Sequence, residues 1–254
     1  MTWNTRPIIA FDLETTGPNP LEARVVSLAT IRLDPDGKNG GGADCIVNPG
    51  IDIPAEATAV HGISNAKALK EGVPAAEAIP SLARSLIGNR DAAPFLVPVV
   101  AFNAVYDITV IHRELLRYES DLAEPFAAAI GPVIDPRVID KQKDPYRRGS
   151  RKLIDVCAHY GVKLKGAHSA YSDALAAGLL AFAMAEKYPE LTKVDTEYLH
   201  ERQIAWYREQ TESLKNYFYR LADEALTAED RDQLTAKAAS VNHHWPIIPE
   251  RDQQ

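Results

Sequence analysis

The chain lacks any apolar stretch approaching the ~20 residues that a membrane helix needs, and Met1-Thr2-Trp3-Asn4-Thr5-Arg6-Pro7 has neither the basic nor the apolar region of a secretory leader. Cysteine is scarce. Cys45 and Cys157 are the only two among 254 residues; they fit no metal-ligand spacing and are expected to sit reduced in or near the core. These absences point to the cytoplasm and to no membrane partner. Positive charge is also short, with 28 Lys and Arg against 35 Asp and Glu and a net charge of −7. Indiscriminate binding to nucleic acid usually needs a basic surface, so that class is disfavoured. A nucleic-acid enzyme is not, because bound divalent cations reverse the local sign. The remaining composition, 46% apolar and 25% charged, is that of an ordinary globular chain, long enough for one substantial domain and an appendage.

β-Branched and aromatic residues cluster early. Ile8–Glu14 and Val25–Leu33 read as strands; Asp34–Gly42, with four glycines, reads as a hairpin loop before a third strand at Cys45–Val47. After Pro54 the pattern changes. Ala55–Val60 and Ala75–Ile87 are helix-like, with Pro80 expected to break or to start a turn of the second. Leu96–Ala101 and Val133–Asp135 are short buried strands. Helices follow from Val105, over Arg151–Tyr160 and over Ala170–Lys187. Five strands in all, first in a meander and then alternating with helices, predict an α/β fold with a mixed sheet flanked by helices. Beyond Tyr188 only helices are expected, over Asp195–Leu221 and Thr227–Ala239, the latter capped by Thr227. The expected division is a domain over residues 1–190 and a helical C-terminal extension over 191–254.

Four acids and one histidine carry the functional signal. Asp12 and Glu14, two apart on a strand, leave the same face, where two carboxylates repel unless a cation lies between them. Asp107 follows a strand end and falls in the first helical turn, with Asn103 placed as its cap. Asp173 falls in the first turn of another helix, and His168 lies on the loop before it. Hard divalent cations take oxygen ligands, and an attacking water needs a base beside it. His112, His159 and His200 are read as surface residues.

Phe11-Asp12-Leu13-Glu14-Thr15-Thr16-Gly17, Asn103-Ala104-Val105-Tyr106-Asp107 and His168-Ser169-Ala170-Tyr171-Ser172-Asp173, in that order, resemble the three motifs of the DnaQ-like 3′-to-5′ exonucleases of the DEDDh group, on the ribonuclease H-like fold. The stretch from Asn48-Pro49-Gly50 through His61-Gly62-Ile63 is also similar to the family's, and the resemblance covers about residues 7–187. It extends to the proofreading subunit of bacterial replicative DNA polymerase. Phe102 and Tyr106 depart from the family's usual histidine and phenylalanine. The resemblance implies two Mg²⁺ or Mn²⁺ ions held by Asp12, Glu14, Asp107 and Asp173, with His168 as general base. A histidine changes charge near neutral pH and suits that role. Leu13, Thr15, His61, Ile63 and Asn103 become the expected substrate contacts, although core packing would equally explain Leu13 and Ile63, and a turn-stabilising role His61.

The expected substrate is the 3′ end of single-stranded or frayed DNA. RNA is the alternative with the same chemistry. A non-catalytic adaptor, bound to a polymerase through the helical tail, is the alternative of another class. In that tail, Arg202–Tyr207 and Leu214–Arg220 interleave aromatic and basic residues. Such patches stack bases or dock helices, and the usual burial of aromatics favours docking.

Overall fold

The computed structural model describes residues 2–88, 97–164, 166 and 168–249. Among these, β1 (Ile8–Thr15), β2 (Val25–Leu33) and β3 (Asn39–Asn48) form the meander; α1 (Ala55–His61) and α2 (Asn65–Glu71) follow, then β4 (Val73–Pro74) and α3 (Ala75–Gly88). β5 (Val99–Val100) leads into α4 (Ala104–Tyr118) and α5 (Ser120–Ala129), and β6 (Val133–Ile134) into α6 (Pro136–Lys143), α7 (Leu153–His159) and α8 (Ala170–Lys187). Leu96, expected at the start of the strand that β5 represents, lies outside the described residues. The long α9 (Thr196–Asp223) and α10 (Ala228–Ser240) follow.

Among the described residues the sheet has six strands, in the order β4-β3-β2-β1-β5-β6. β1, β2 and β3 pair antiparallel, whereas β5 joins β1, and β6 joins β5, in parallel. The mixed α/β architecture thus agrees with the sequence pattern, and the count of five does not. The sixth strand, β4, is two residues long and pairs Val47 with Val73 and Asn48 with Pro74. The glycine-rich loop is also shorter than its composition predicts, because β3 begins at Asn39. At Gly42 a Cβ would stand 1.8 Å from the Thr30 carbonyl oxygen, so only glycine lets the strands close there. Pro80 does not interrupt α3, which buries Ile79, Leu82, Ala83 and Leu86 on either side of it. That burial outweighs one missing backbone bond.

Central strands are buried on both faces, and Phe11, Ile8, Ile31 and Leu33 are fully enclosed. α8 lies across β1 and β2. Its buried face is almost all small, with Ala174, Ala177, Gly178 and Ala181. A Cβ on Gly178 would meet Leu33 Cδ1 at 2.3 Å and the Ala10 Cβ at 3.1 Å. The close approach of α8 to the sheet brings Asp173 to the end of β1.

α9 packs on β6 and α6. Gln203 and Trp206 are buried there, while Tyr217 and Tyr219 further along are exposed, so docking accounts for the first aromatic patch and not the second. Thr227 accepts from the Asp230 amide as the cap of α10. The segment after α10 returns to α4, where Ile248 N–H donates to Thr109 Oγ1 at 2.9 Å. Of the histidines expected at the surface, His112 is buried within α4, and His200 is half-buried, packed on Trp245 and accepting from the Val133 amide at 3.0 Å. Both cysteines are free, Cys157 buried and Cys45 half-buried. Among the described residues no helix is long and apolar enough to cross a membrane.

Candidate active site

The site begins with the end of β1. The strand alternates, so Leu13 is buried in the core while Asp12 and Glu14 leave its other face half-buried. The register with β2 shifts between Glu14 and Thr15, so the strand bulges just beyond the last carboxylate. The following turn is fixed from two sides. Thr16 and Arg24 close it with two hydrogen bonds of 2.9 Å, and the Arg24 guanidinium pairs with the fully buried carboxylate of Glu114 on α4.

Asp107 occupies the first turn of α4, 4% exposed. Asn103 stands at the cap position with a positive φ of 67°, but its side chain does not cap the helix. Its Oδ1 accepts instead from Arg137 at 2.8 Å. The cap is supplied by Asp135, whose two carboxylate oxygens accept from the Asn103 amide at 3.0 Å and the Ala104 amide at 2.9 Å. Asp135 also caps α6. Asp173 lies in the first turn of α8, and its Oδ2 accepts from the His168 amide at 3.3 Å. His168 itself is exposed, with φ of 69°.

One carboxylate oxygen from each of Asp12, Glu14 and Asp173 lies within 4.8 Å of the other two. Asp107 stands outside that group but close enough to Asp12 to repel it. Burial raises the Asp12 carboxyl well above the ordinary range, and Asp107, Asp173 and Glu14 add to the rise in that order. Burial, with Asp173 behind it, lifts Glu14 to about 7. Asp107 is raised by burial and then by Asp135, against its own amide and that of Leu13. Asp173 is raised by burial, partly offset by His168. Asp173 Oδ1 is buried with no hydrogen-bond partner. Hard oxygen donors, mutually repelling and with one lone oxygen unsatisfied, fit divalent cations.

The carboxylates open into a cleft of ≈ 580 Å³ lined also by His168, Leu13, Asn103, Phe102 and Tyr106. Thr15 lies at its edge, with its hydroxyl bonded to Tyr106 Oη, which in turn donates to the Gly17 carbonyl. His61 ends α1, where Nδ1 accepts from the Ile63 amide at 3.1 Å; burial lowers its pKa against a hydrogen bond to the backbone of Thr15, which places its ring beside the end of β1. That is the turn-stabilising arrangement. Ile63 packs in a small satellite core with Val26, Ile53 and Ala68. A further part of the lining, Arg137 with Ser150, Arg151, Lys152 and Leu153, carries residues that the motif pattern alone does not pick out. Its signal in the sequence is the run Lys141–Lys152, basic in an otherwise acidic chain.

Carboxylates are thus gathered where the central strand of a mixed sheet meets two helix starts. Residues 9–180 match the RNase_T exonuclease family, and the chain belongs to it. The chain is 34% identical over 120 residues to a DNA polymerase III subunit epsilon-like protein of Rhodobacter capsulatus, 46% of this chain and 16% of that one. Its fold is similar to E. coli Exonuclease I in complex with a dA16 oligonucleotide, with TM-score 0.61 and 19% identity, covering 74% of this chain and 42% of the other. Exonuclease I from Methylocaldum szegediense is similar at TM-score 0.59 and 22% identity, with the same coverage. This chain spans less than half the length of each. The resemblance to DnaQ-like exonucleases is borne out. The family is one of exonucleases, and the acidic cluster of this chain offers oxygen donors of the kind that divalent cations take.

Proposed function

We propose that the protein removes nucleotides from the 3′ end of DNA, single-stranded or frayed, by two-metal hydrolysis. The observation that carries this is the convergence of Asp12, Glu14 and Asp173 within 4.8 Å, with Asp107 beside Asp12 and His168 in the same cleft. The four acids would hold two Mg²⁺ or Mn²⁺ ions, which when bound polarise the phosphate and make a water nucleophilic near neutral pH. Asp12, repelled by the other three, would be the ligand most relieved by a bound cation. His168 takes the proton of the attacking water. Its exposed position lets it pass that proton to solvent. A new P–O bond forms to the water oxygen, the P–O3′ bond breaks, and the departing 3′-oxygen is protonated. The Thr15–Tyr106–Gly17 network holds the turn against which the terminal sugar rests. Asn103, tied to Arg137, lies along the strand's path.

Catalysis is assigned to residues 1–190 and support of β6 and α6 to the extension, 191–254. The Exonuclease I complexes with oligodeoxynucleotides and the epsilon-like relative favour DNA over RNA. The test uses 5′-labelled single-stranded DNA and RNA with Mg²⁺, Mn²⁺ or EDTA, beside Asp12→Ala. The expected result is a metal-dependent ladder on DNA that Asp12→Ala lacks. Equal, metal-independent products from both proteins, or none from either, would overturn the reading.

A further inference from the structure

Groups of both charges line the cleft. With the carboxylates stand Arg137, at the start of α6, and Arg151 and Lys152, just before α7. Between residues 137 and 152 the chain has seven basic and two acidic residues, a net +5 within a protein of net −7, so the positive charge is concentrated rather than scattered. One of the two acids, Asp140, is fully buried and holds the wall from behind. Its Oδ2 accepts from Arg151 at 2.5 Å and Arg147 at 2.8 Å, and its Oδ1 from Tyr160 Oη at 3.2 Å. Arg151 is further pinned to the Asp144 carbonyl at 2.6 Å. The guanidinium is thus fixed at the cleft by buried partners, at a cost in side-chain entropy that folding has already met.

The cations crowd one another. Lys141, half-buried behind the wall, has its ammonium lowered to about 8 by burial, then by Arg137 and Arg151. The same segment presents Tyr146, 93% exposed, beside Arg147 and Arg148. Exposed aromatics among cations are the composition of surfaces that stack bases and neutralise phosphates. A ligand that meets the carboxylates through cations and the guanidiniums directly must carry anionic groups repeated along its length.

We propose that Arg137, Arg151 and Lys152 form a phosphate-binding wall that grips the internucleotide phosphates on the 5′ side of the scissile bond, with Asp140 as the residue that positions Arg151. The proposal rests on the exonuclease reading of the cleft. It assigns strand grip to this wall and bond cleavage to the acids.

The two functions separate by substrate. A single-stranded oligonucleotide has upstream phosphates, whereas the p-nitrophenyl ester of thymidine 5′-monophosphate has one phosphodiester and none upstream. Lys152→Ala, a change at an exposed side chain, and the double variant Arg151→Ala/Lys152→Ala are compared with wild type on both. In the double variant the oligonucleotide KM is expected to rise about tenfold and the slope of log KM against log salt to fall by about one to two. The ester loses less than about threefold in kcat/KM, since it offers the wall nothing to hold. Arg151→Lys restores part of the oligonucleotide KM. Fluorescence anisotropy of a labelled oligonucleotide in EDTA reads binding without cleavage, and variants must melt within a few degrees of wild type. An unchanged KM and salt slope, or equal losses on both substrates, would overturn the wall. If wild type cleaves neither substrate with Mg²⁺ or Mn²⁺, the exonuclease reading falls, and anisotropy decides the wall alone: unchanged affinity in the double variant overturns it.

Discussion

Gln203 on α9 accepts from the Asp135 amide at 2.7 Å and donates to the Val133 carbonyl at 2.8 Å and the Leu199 carbonyl at 3.2 Å. It is fully buried. Because Asp135 in turn caps the helix that carries Asp107, a side chain near the C-terminus fixes the position of an acid at the centre of the cleft.

Replacing Gln203 with Leu leaves the Asp135 amide and the Val133 carbonyl buried without these partners. Each such group costs about 1–3 kcal/mol. Gln203→Leu is therefore expected to lower the urea midpoint clearly, and to reduce kcat more than KM because Asp107 loses its fixed base. Gln203→Glu, which keeps the acceptor, should recover part of both. Unchanged unfolding in Gln203→Leu would show that α9 does not buttress β6.

Overpacking at Gly178 tests how closely α8 must lie on the sheet. A methyl group there meets the Ala10 Cβ, which has no rotamer to move. Gly178→Ala is expected to destabilise by about 1–3 kcal/mol and to displace Asp173, seen as weaker Mn²⁺ binding in calorimetry. A more stable variant with unchanged affinity would contradict the packing argument.

The carboxylates make stability depend on pH in a defined direction. Glu14 moves from an ordinary 4.5 to about 7 on folding, through burial and then Asp173, and Asp12 moves the same way. A carboxyl with the higher pKa in the folded state holds its proton longer there. Metal-free stability is then largest below the unfolded value and declines as pH rises from 4.5 to about 7. The melting temperature in EDTA should be higher at about pH 5.5 than at about pH 8, with Mg²⁺ or Mn²⁺ restoring it at the higher pH. In Glu14→Gln the deficit at high pH should shrink. A wild-type melting temperature in EDTA that climbs across this window would contradict the raised values.

Tyr106→Phe removes a hydroxyl bonded to both Thr15 and Gly17. Loss of such a bond costs about 0.5–1.5 kcal/mol, so folding is little affected. The turn at the end of β1 is loosened instead. Activity on oligonucleotides should fall about threefold to tenfold, the size that roughly 0.6–1.4 kcal/mol would produce. A wild-type rate would show that the turn is held sufficiently by Thr16 and Arg24.

Local patterns in the sequence already place the acids. Asp12 and Glu14 need only a strand's alternation, and Asp173 only a helix start; β1 and α8 agree with the pattern to within a residue. What the pattern misses is set by partners distant in sequence. β4 is invisible because Val73-Pro74 forms a strand only against Val47 and Asn48. Asn39–Gly42 read as loop until Thr30 is known to lie against Gly42. Asp135 gives a local signal, an N-cap before Pro136, yet its second role as cap of α4 depends on the parallel pairing of β5 with β6. The cationic wall combines both cases: the basic run is legible, but its place in one cleft with the acids follows from the fold. Asn103 stands where the pattern puts it and does a different job, since Asp135 performs the capping.

The mutual repulsion of Asp12, Glu14 and Asp173 has a consequence for engineering. Selection for heat resistance in a chelating buffer rewards any neutral residue at these positions, because it relieves the like charges without disturbing the core. Such a screen would enrich well-folded, inert proteins. Run with the cation present, the same screen scores the acids as ligands, and the route to a sturdier enzyme then passes through sites that leave the cleft alone.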